Sequence, residues 1–146
     1  MNSRSLYALV LAAGLCSISA PILAHHGDAG RYDETPFIIT GTVAEIKLTN
    51  PHSILVFDVT DASGKVVRWQ AEMGGGNQLT KQFGWTKDMP KIGEKVTLNG
   101  RKVKSGAPYM NMTEKAQIIL TDSGKEIFRT MNFDGPPAAS TSAKPQ

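Results

Sequence analysis

From Pro36 onward the chain is a succession of short β-prone runs cut apart by Asn-Pro, Asp-Ser-Gly-type and Gly-rich breaks, and only one segment carries helical spacing. Short strands cannot bury an apolar face alone, so such a chain has to close them into a barrel or stack them as a sandwich. Pro36 to Thr49 is rich in Ile, Val, Thr and Phe, and its apolar phase shifts between Ile39 and Ile46, which places a bulge near Gly41. Asn50-Pro51 breaks that run, and His52 to Thr60 forms the second strand. Asp61-Ala62-Ser63-Gly64 has hairpin chemistry: Asp can bond its own backbone and Gly is free to take positive φ. Lys65 to Met73 alternates, with Val67, Trp69, Ala71 and Met73 on one face.

After Gly74-Gly75-Gly76, Asn77 is placed to N-cap a helix through about Phe83, with Leu79 and Phe83 at i and i+4 and Gly84 as its stop. Gly93 to Val103 reads as one long fourth strand with a bulge at Asn99-Gly100, and Tyr109 to Thr121 as the fifth. Asp122-Ser123-Gly124 repeats the earlier turn, so Lys125 to Arg129 adds a short sixth strand. Three strands, a short helix, then two strands is the order of an OB-fold, the five-stranded partly open barrel. The expected class is therefore all-β: a small five- to six-stranded OB-like barrel with one short helix between strands three and four. Another small barrel or a sandwich remains compatible with the same pattern.

The N-terminus changes which residues count. Met1 to Ala24 has one Arg, an apolar core and a small final residue, the pattern of a secretory signal peptide. Its apolar run falls short of the roughly 20 residues that span a bilayer. Cleavage after Ala24 is expected, because cleavage after Ala20 would put Pro21 first. Leu15 ahead of Cys16 argues against lipoprotein processing, which wants a small residue there. Losing Arg4 from the 16 basic residues leaves 15 against 13 acidic ones, a net charge of +2. Cys16, the chain's one cysteine, leaves with the signal. A disulfide, a Cys-zinc site, an iron–sulfur cluster and a cysteine nucleophile are thereby excluded. The small net charge gives no argument for nucleic acid. The organisation read from the chain is a signal peptide over 1–24, a polar leader over 25–35, a β-barrel domain over 36–133 and a Pro-rich disordered tail over 134–146. The expected location is the periplasm.

All three histidines fall in two places, His25-His26 at the expected mature terminus and His52 after Asn50-Pro51. A first-residue His offers a metal both its α-amino nitrogen and its ring, and a second imidazole completes the nitrogen-rich set that Cu(II) favours. The candidate metal ligands are His25, His26 and His52, with copper as the candidate cofactor. Met73, Met110 and Met112 offer thioethers for Cu(I), against the plainer reading that they fill the core. Glu72 is either a carboxylate supporting a metal or a solvated strand residue. Gly74-Gly75-Gly76 lacks the GxxxxGK[ST] pattern and reads as a flexible turn. Trp69 anchors the core by its phase, while Trp85 is left open between core and stacking platform. No Ser/His/Asp set, paired acids or cofactor motif stands out, so turnover chemistry is not expected.

Ala-His-His (24–26), Gly-Thr-Val (41–43), Thr-Asn-Pro-His-Ser (49–53), the Asp61–Trp69 stretch, Glu-Met-Gly (72–74), Gly-Trp-Thr (84–86) and Gly-Glu-Lys-Val-Thr-Leu-Asn-Gly (93–100) resemble a family of small exported bacterial proteins of unknown function. The resemblance spans about residues 24–130. It implies export and one small domain, and no mechanism. The functional reading is an exported small β-barrel that binds copper through its mature N-terminal histidine. The alternative is a non-metal binding module or an accessory subunit for another exported protein, signalled by an exposed apolar patch near Trp85.

Overall fold

The structure, a computed structural model, describes residues 30–135, so the expected signal segment 1–24, His25, His26 and most of the expected tail lie outside the described residues. Seven strands and one helix follow one another as β1 (Phe37–Lys47), β2 (Ser53–Thr60), β3 (Val66–Met73), α1 (Gly76–Phe83), β4 (Lys95–Lys102), β5 (Tyr109–Asn111), β6 (Gln117–Leu120) and β7 (Glu126–Arg129). β1 pairs antiparallel with β2, and β2 with β3 through the 61–64 hairpin. β3 runs parallel to β5, β5 antiparallel to β4, and β4 returns to β1, so five strands close a barrel. β6 and β7 extend the sheet beyond β4. The expected OB-like barrel, with its helix between strands three and four, is what the chain forms.

Closure depends on β1 serving two partners. Phe37 to Thr42 pairs with β4, and Thr42 to Lys47 with β2. Gly41 sits at the changeover, where a Cβ would lie 2.6 Å from the Phe57 ring and 2.8 Å from the Asp58 carbonyl oxygen. The bulge itself falls between Val43 and Glu45, not at Gly41. The shift in apolar phase thus comes from the extra residue at Ala44, whereas Gly41 answers to close approach. β4 likewise has no bulge at Asn99-Gly100, because its register against β1 is unbroken from Lys95 to Gly100. Gly100 is glycine for room: a Cβ there would meet the Met112 sulfur at 2.5 Å. The expected single strand Tyr109–Thr121 is interrupted, with β5 and β6 separated by residues 112–116.

Leu55, Phe57, Ala71, Met73, Val96 and Leu98 point inward from alternating positions and are fully buried. Helix α1 closes one end with Leu79, and Gly84 stops it in the left-handed conformation at φ 69. Asn77 is not its N-cap. That position is Gly75, which has no side chain to cap with. The Thr49 carbonyl accepts from the Gly76 N–H at 2.8 Å and Asn50 Oδ1 from the Asn77 N–H at 3.3 Å. The β1–β2 turn therefore caps the helix from outside, and the three glycines let it approach: a Cβ on Gly75 would lie 2.7 Å from Asn50 Oδ1. The expected flexible turn is a packed contact. Among the described residues, no helix is long and apolar enough to cross a membrane.

Candidate functional site

The Thr49–Ser53 turn that caps α1 also presents His52. The Thr49 hydroxyl donates to the His52 carbonyl at 2.5 Å, and buried Ser53 donates from Oγ to the Thr49 carbonyl at 3.1 Å. With the turn held at both ends, the imidazole stands on the outer face of the barrel at the start of β2. His52 Nδ1 lies 3.0 Å from Glu72 Oε1, the ring side 53% exposed and the carboxylate 20%. A carboxylate can only accept, so a neutral ring that donates to Glu72 here carries its proton on Nδ1 and its lone pair on Nε2. The other Glu72 oxygen, Oε2, accepts from the Tyr109 hydroxyl. Parallel pairing of β3 with β5 creates this contact by setting Tyr109 beside Gln70, one outward position from Glu72.

Tyr109 leads on to the N-terminal strap. Tyr32, buried, bridges to Val103, and Arg31 lies with its guanidinium carbon 5.8 Å from the Tyr109 ring centroid. A line of contacts thus runs from residue 31 through Tyr109 and Glu72 to His52.

Burial holds the Tyr109 phenol well above its ordinary value of 10.0, and the hydrogen bond to Glu72 and that carboxylate's charge add to the effect. Because the folded value is the higher one, the stabilisation is complete below the ordinary phenol range. It is lost as pH rises through the raised folded value. In an alkaline ultraviolet titration Tyr109 should remain a phenol where a free tyrosine ionises. Glu72→Gln, which removes the charge, should bring its ionisation to lower pH. An ordinary phenol titration in the parent protein would contradict this.

Of the sequence-derived site residues, the structure describes His52 and joins it to Glu72; His25 and His26 lie outside the described residues. Among the described residues no three His, Cys, Asp or Glu side chains cluster closely enough to hold a metal ion. The Cu(I) thioether set is overturned, since Met73, Met110 and Met112 are fully buried among core side chains. Trp85 is also fully buried, donating from Nε1 to the Ile127 carbonyl at 2.8 Å, and so presents neither a stacking platform nor an apolar patch. Trp69 packs against the core, stacked on Phe37 at 5.6 Å. Sequence reasoning missed Tyr109 and Arg31. Tyr109 is 37 residues from Glu72, and no local spacing links them.

A profile of a family described as a family of unknown function (DUF6152) matches residues 12–110. The match takes in the Thr49–Ser53 turn, Glu72 and Tyr109, and stops short of β6 and β7. No curated protein matches the chain.

Proposed function

The chain belongs to this family of unknown function, and from that premise we propose that it is an exported, periplasmic protein that binds Cu(II) with His52 Nε2 and the nitrogens of His25, His26 being a third ligand. The observation that carries this reading is the imidazole beside a carboxylate: Glu72 Oε1 lies 3.0 Å from His52 Nδ1, the position from which a carboxylate orients a metal-ligating histidine and leaves its Nε2 for the metal. Two described groups do not make a site, so the remaining donors have to come from elsewhere. His25 is five residues before Gly30, and five extended residues reach about 17 Å. The strap that continues from Gly30 already lies against Tyr109, next to Glu72. If the signal is removed after Ala24, His25 contributes an α-amine as well as a ring. That nitrogen set suits Cu(II), while the buried thioethers leave the core methionines no part in binding Cu(I).

The test is a calorimetric Cu(II) titration of protein whose N-terminus has been verified by mass spectrometry. Stoichiometric binding is expected, lost in His52→Ala and in His25→Ala. It should weaken by about 10- to 100-fold in Glu72→Gln, which leaves the ring but alters its hydrogen-bond partner. An extra residue before His25 should also abolish binding if the terminal amine is a ligand. Unchanged affinity in both histidine variants removes the site. A retained 1–24 segment or a lipid on Cys16 removes the terminal amine and the soluble periplasmic assignment.

A further inference from the structure

Four arginines lie among the described residues, and three of them end on a carboxylate. Arg68 meets Asp58 at 2.8 Å, Arg101 meets Glu114 at 3.3 Å and Arg129 meets Glu126 at 2.8 Å. Arg31 has no carboxylate partner among the described residues. Its guanidinium carbon lies 5.3 Å from the Tyr32 ring centroid and 5.8 Å from that of Tyr109. Contact with ring faces holds the cation in place but uses none of its N–H donors, so the planar fork remains available.

The strap's pairing sharpens the point. Tyr32 bridges antiparallel to Val103, which sets Asp33 opposite Lys102 and Arg31 opposite Lys104. Backbone hydrogen bonds from Asp33 N to Lys102 O (2.9 Å) and from Lys104 N to Arg31 O (3.0 Å) fix that register. The first pair is complementary, with Lys102 Nζ 3.8 Å from Asp33. The second places two exposed cations directly across from one another, an arrangement that is unfavourable unless something negative lies between them. Both line an open groove of about 480 Å³ with Ser105 and Tyr109, and no acidic residue lines it. That volume falls in the range of small-ligand sites, about 300–1,000 Å³.

We propose that this groove binds a small ligand bearing an oxyanion group, a carboxylate or a phosphate, held between Arg31 and Lys104 against the ring of Tyr109. The Arg31 fork matches two oxygens of such a group and Lys104 supplies the second charge. The groove adjoins the proposed metal position through Tyr109 and Glu72, so the experiment uses metal-free protein. Sodium phosphate and sodium succinate are titrated in separate arms and followed by amide and arginine side-chain NMR, with sodium chloride at matched ionic strength as reference. Saturable shifts at the Arg31 side chain and over residues 103–109, absent with chloride, are expected. The arm that saturates at lower concentration identifies the preferred group. Lys104→Glu places an acid opposite Arg31 and so keeps the strap folded while affinity falls by about tenfold or more. Arg31→Gln should lose the shifts as well. Shifts that never saturate, shifts that chloride reproduces, or an affinity unchanged in Lys104→Glu would each overturn the proposal.

Discussion

Trp85→Ala is expected to destabilise the domain by about 4 kcal/mol, the upper part of the range for truncating a buried aromatic residue. The indole is fully buried and packs edge-on against Phe128, with ring centroids 6.4 Å apart. Its Nε1 donates to the Ile127 carbonyl at 2.8 Å, which ties the stretch after α1 to β7. Truncation removes the packing and leaves that carbonyl without its donor in a site water does not reach, so cavity and desolvation costs add. Trp85→Phe helps to separate them, since it keeps a six-membered ring in place while losing the hydrogen bond and the smaller volume of the pyrrole ring. It should cost about 1–2 kcal/mol beyond the volume change. Trp69 is the only other tryptophan and so reports the transition in both variants. Urea unfolding followed by its fluorescence should show a lower midpoint with little change in slope. A loss below about 1 kcal/mol for Trp85→Ala would mean that the indole is not sealed in the core.

Gly41→Ala is expected to be the second most damaging of these changes, at about 2–3 kcal/mol. In an ordinary strand position the substitution favours folding, because alanine restricts the unfolded chain. Here the new methyl would stand 2.6 Å from a Phe57 ring carbon and 2.8 Å from the Asp58 carbonyl oxygen. Phe57 is fully buried and cannot swing away, and Asp58 is paired backbone in β2. The strands must separate where β1 passes from β4 to β2, and that passage closes the barrel. The opposite sign from an unconstrained glycine is the diagnostic feature. Thermal unfolding of Gly41→Ala beside the parent protein measures it, and a variant as stable as the parent would show that the changeover has slack.

The order of elements was legible because it is written in local chemistry. Asp61 illustrates this: its Oδ1 accepts from Ser63 N at 2.8 Å and Lys65 N at 3.0 Å, and Gly64 takes φ 83, so the hairpin forms from residues within reach of one another. The period-2 face of β3 and the helix over 76–83 are equally local, and these elements already imply a small barrel. Bulge positions were not legible. Gly41 and Gly100 look like irregularities in the sequence but are demanded by atoms of other strands. The helix cap escaped for the same reason: Asn50, 27 residues from Asn77, fills the role Asn77 was assigned.

The candidate site divides along the same line. The sequence alone places the few imidazoles in a leader and one turn, the one thiol inside the expected signal segment, and His52 after a chain-breaking Asn-Pro. It could not determine what His52 faces. Glu72 was undecided because an outward strand carboxylate looks the same whether it meets solvent or a ring. Tyr109 and Arg31 carried no signal at all. Those questions rest on non-local contacts: β3 meets β5 in parallel within the barrel, a strap lies along Lys102–Lys104, and these pairings align Arg31, Tyr109, Glu72 and His52. Local propensities specify strands and turns through nearest neighbours, whereas a side chain's partner across a sheet depends on register, which exists only once the strands have met.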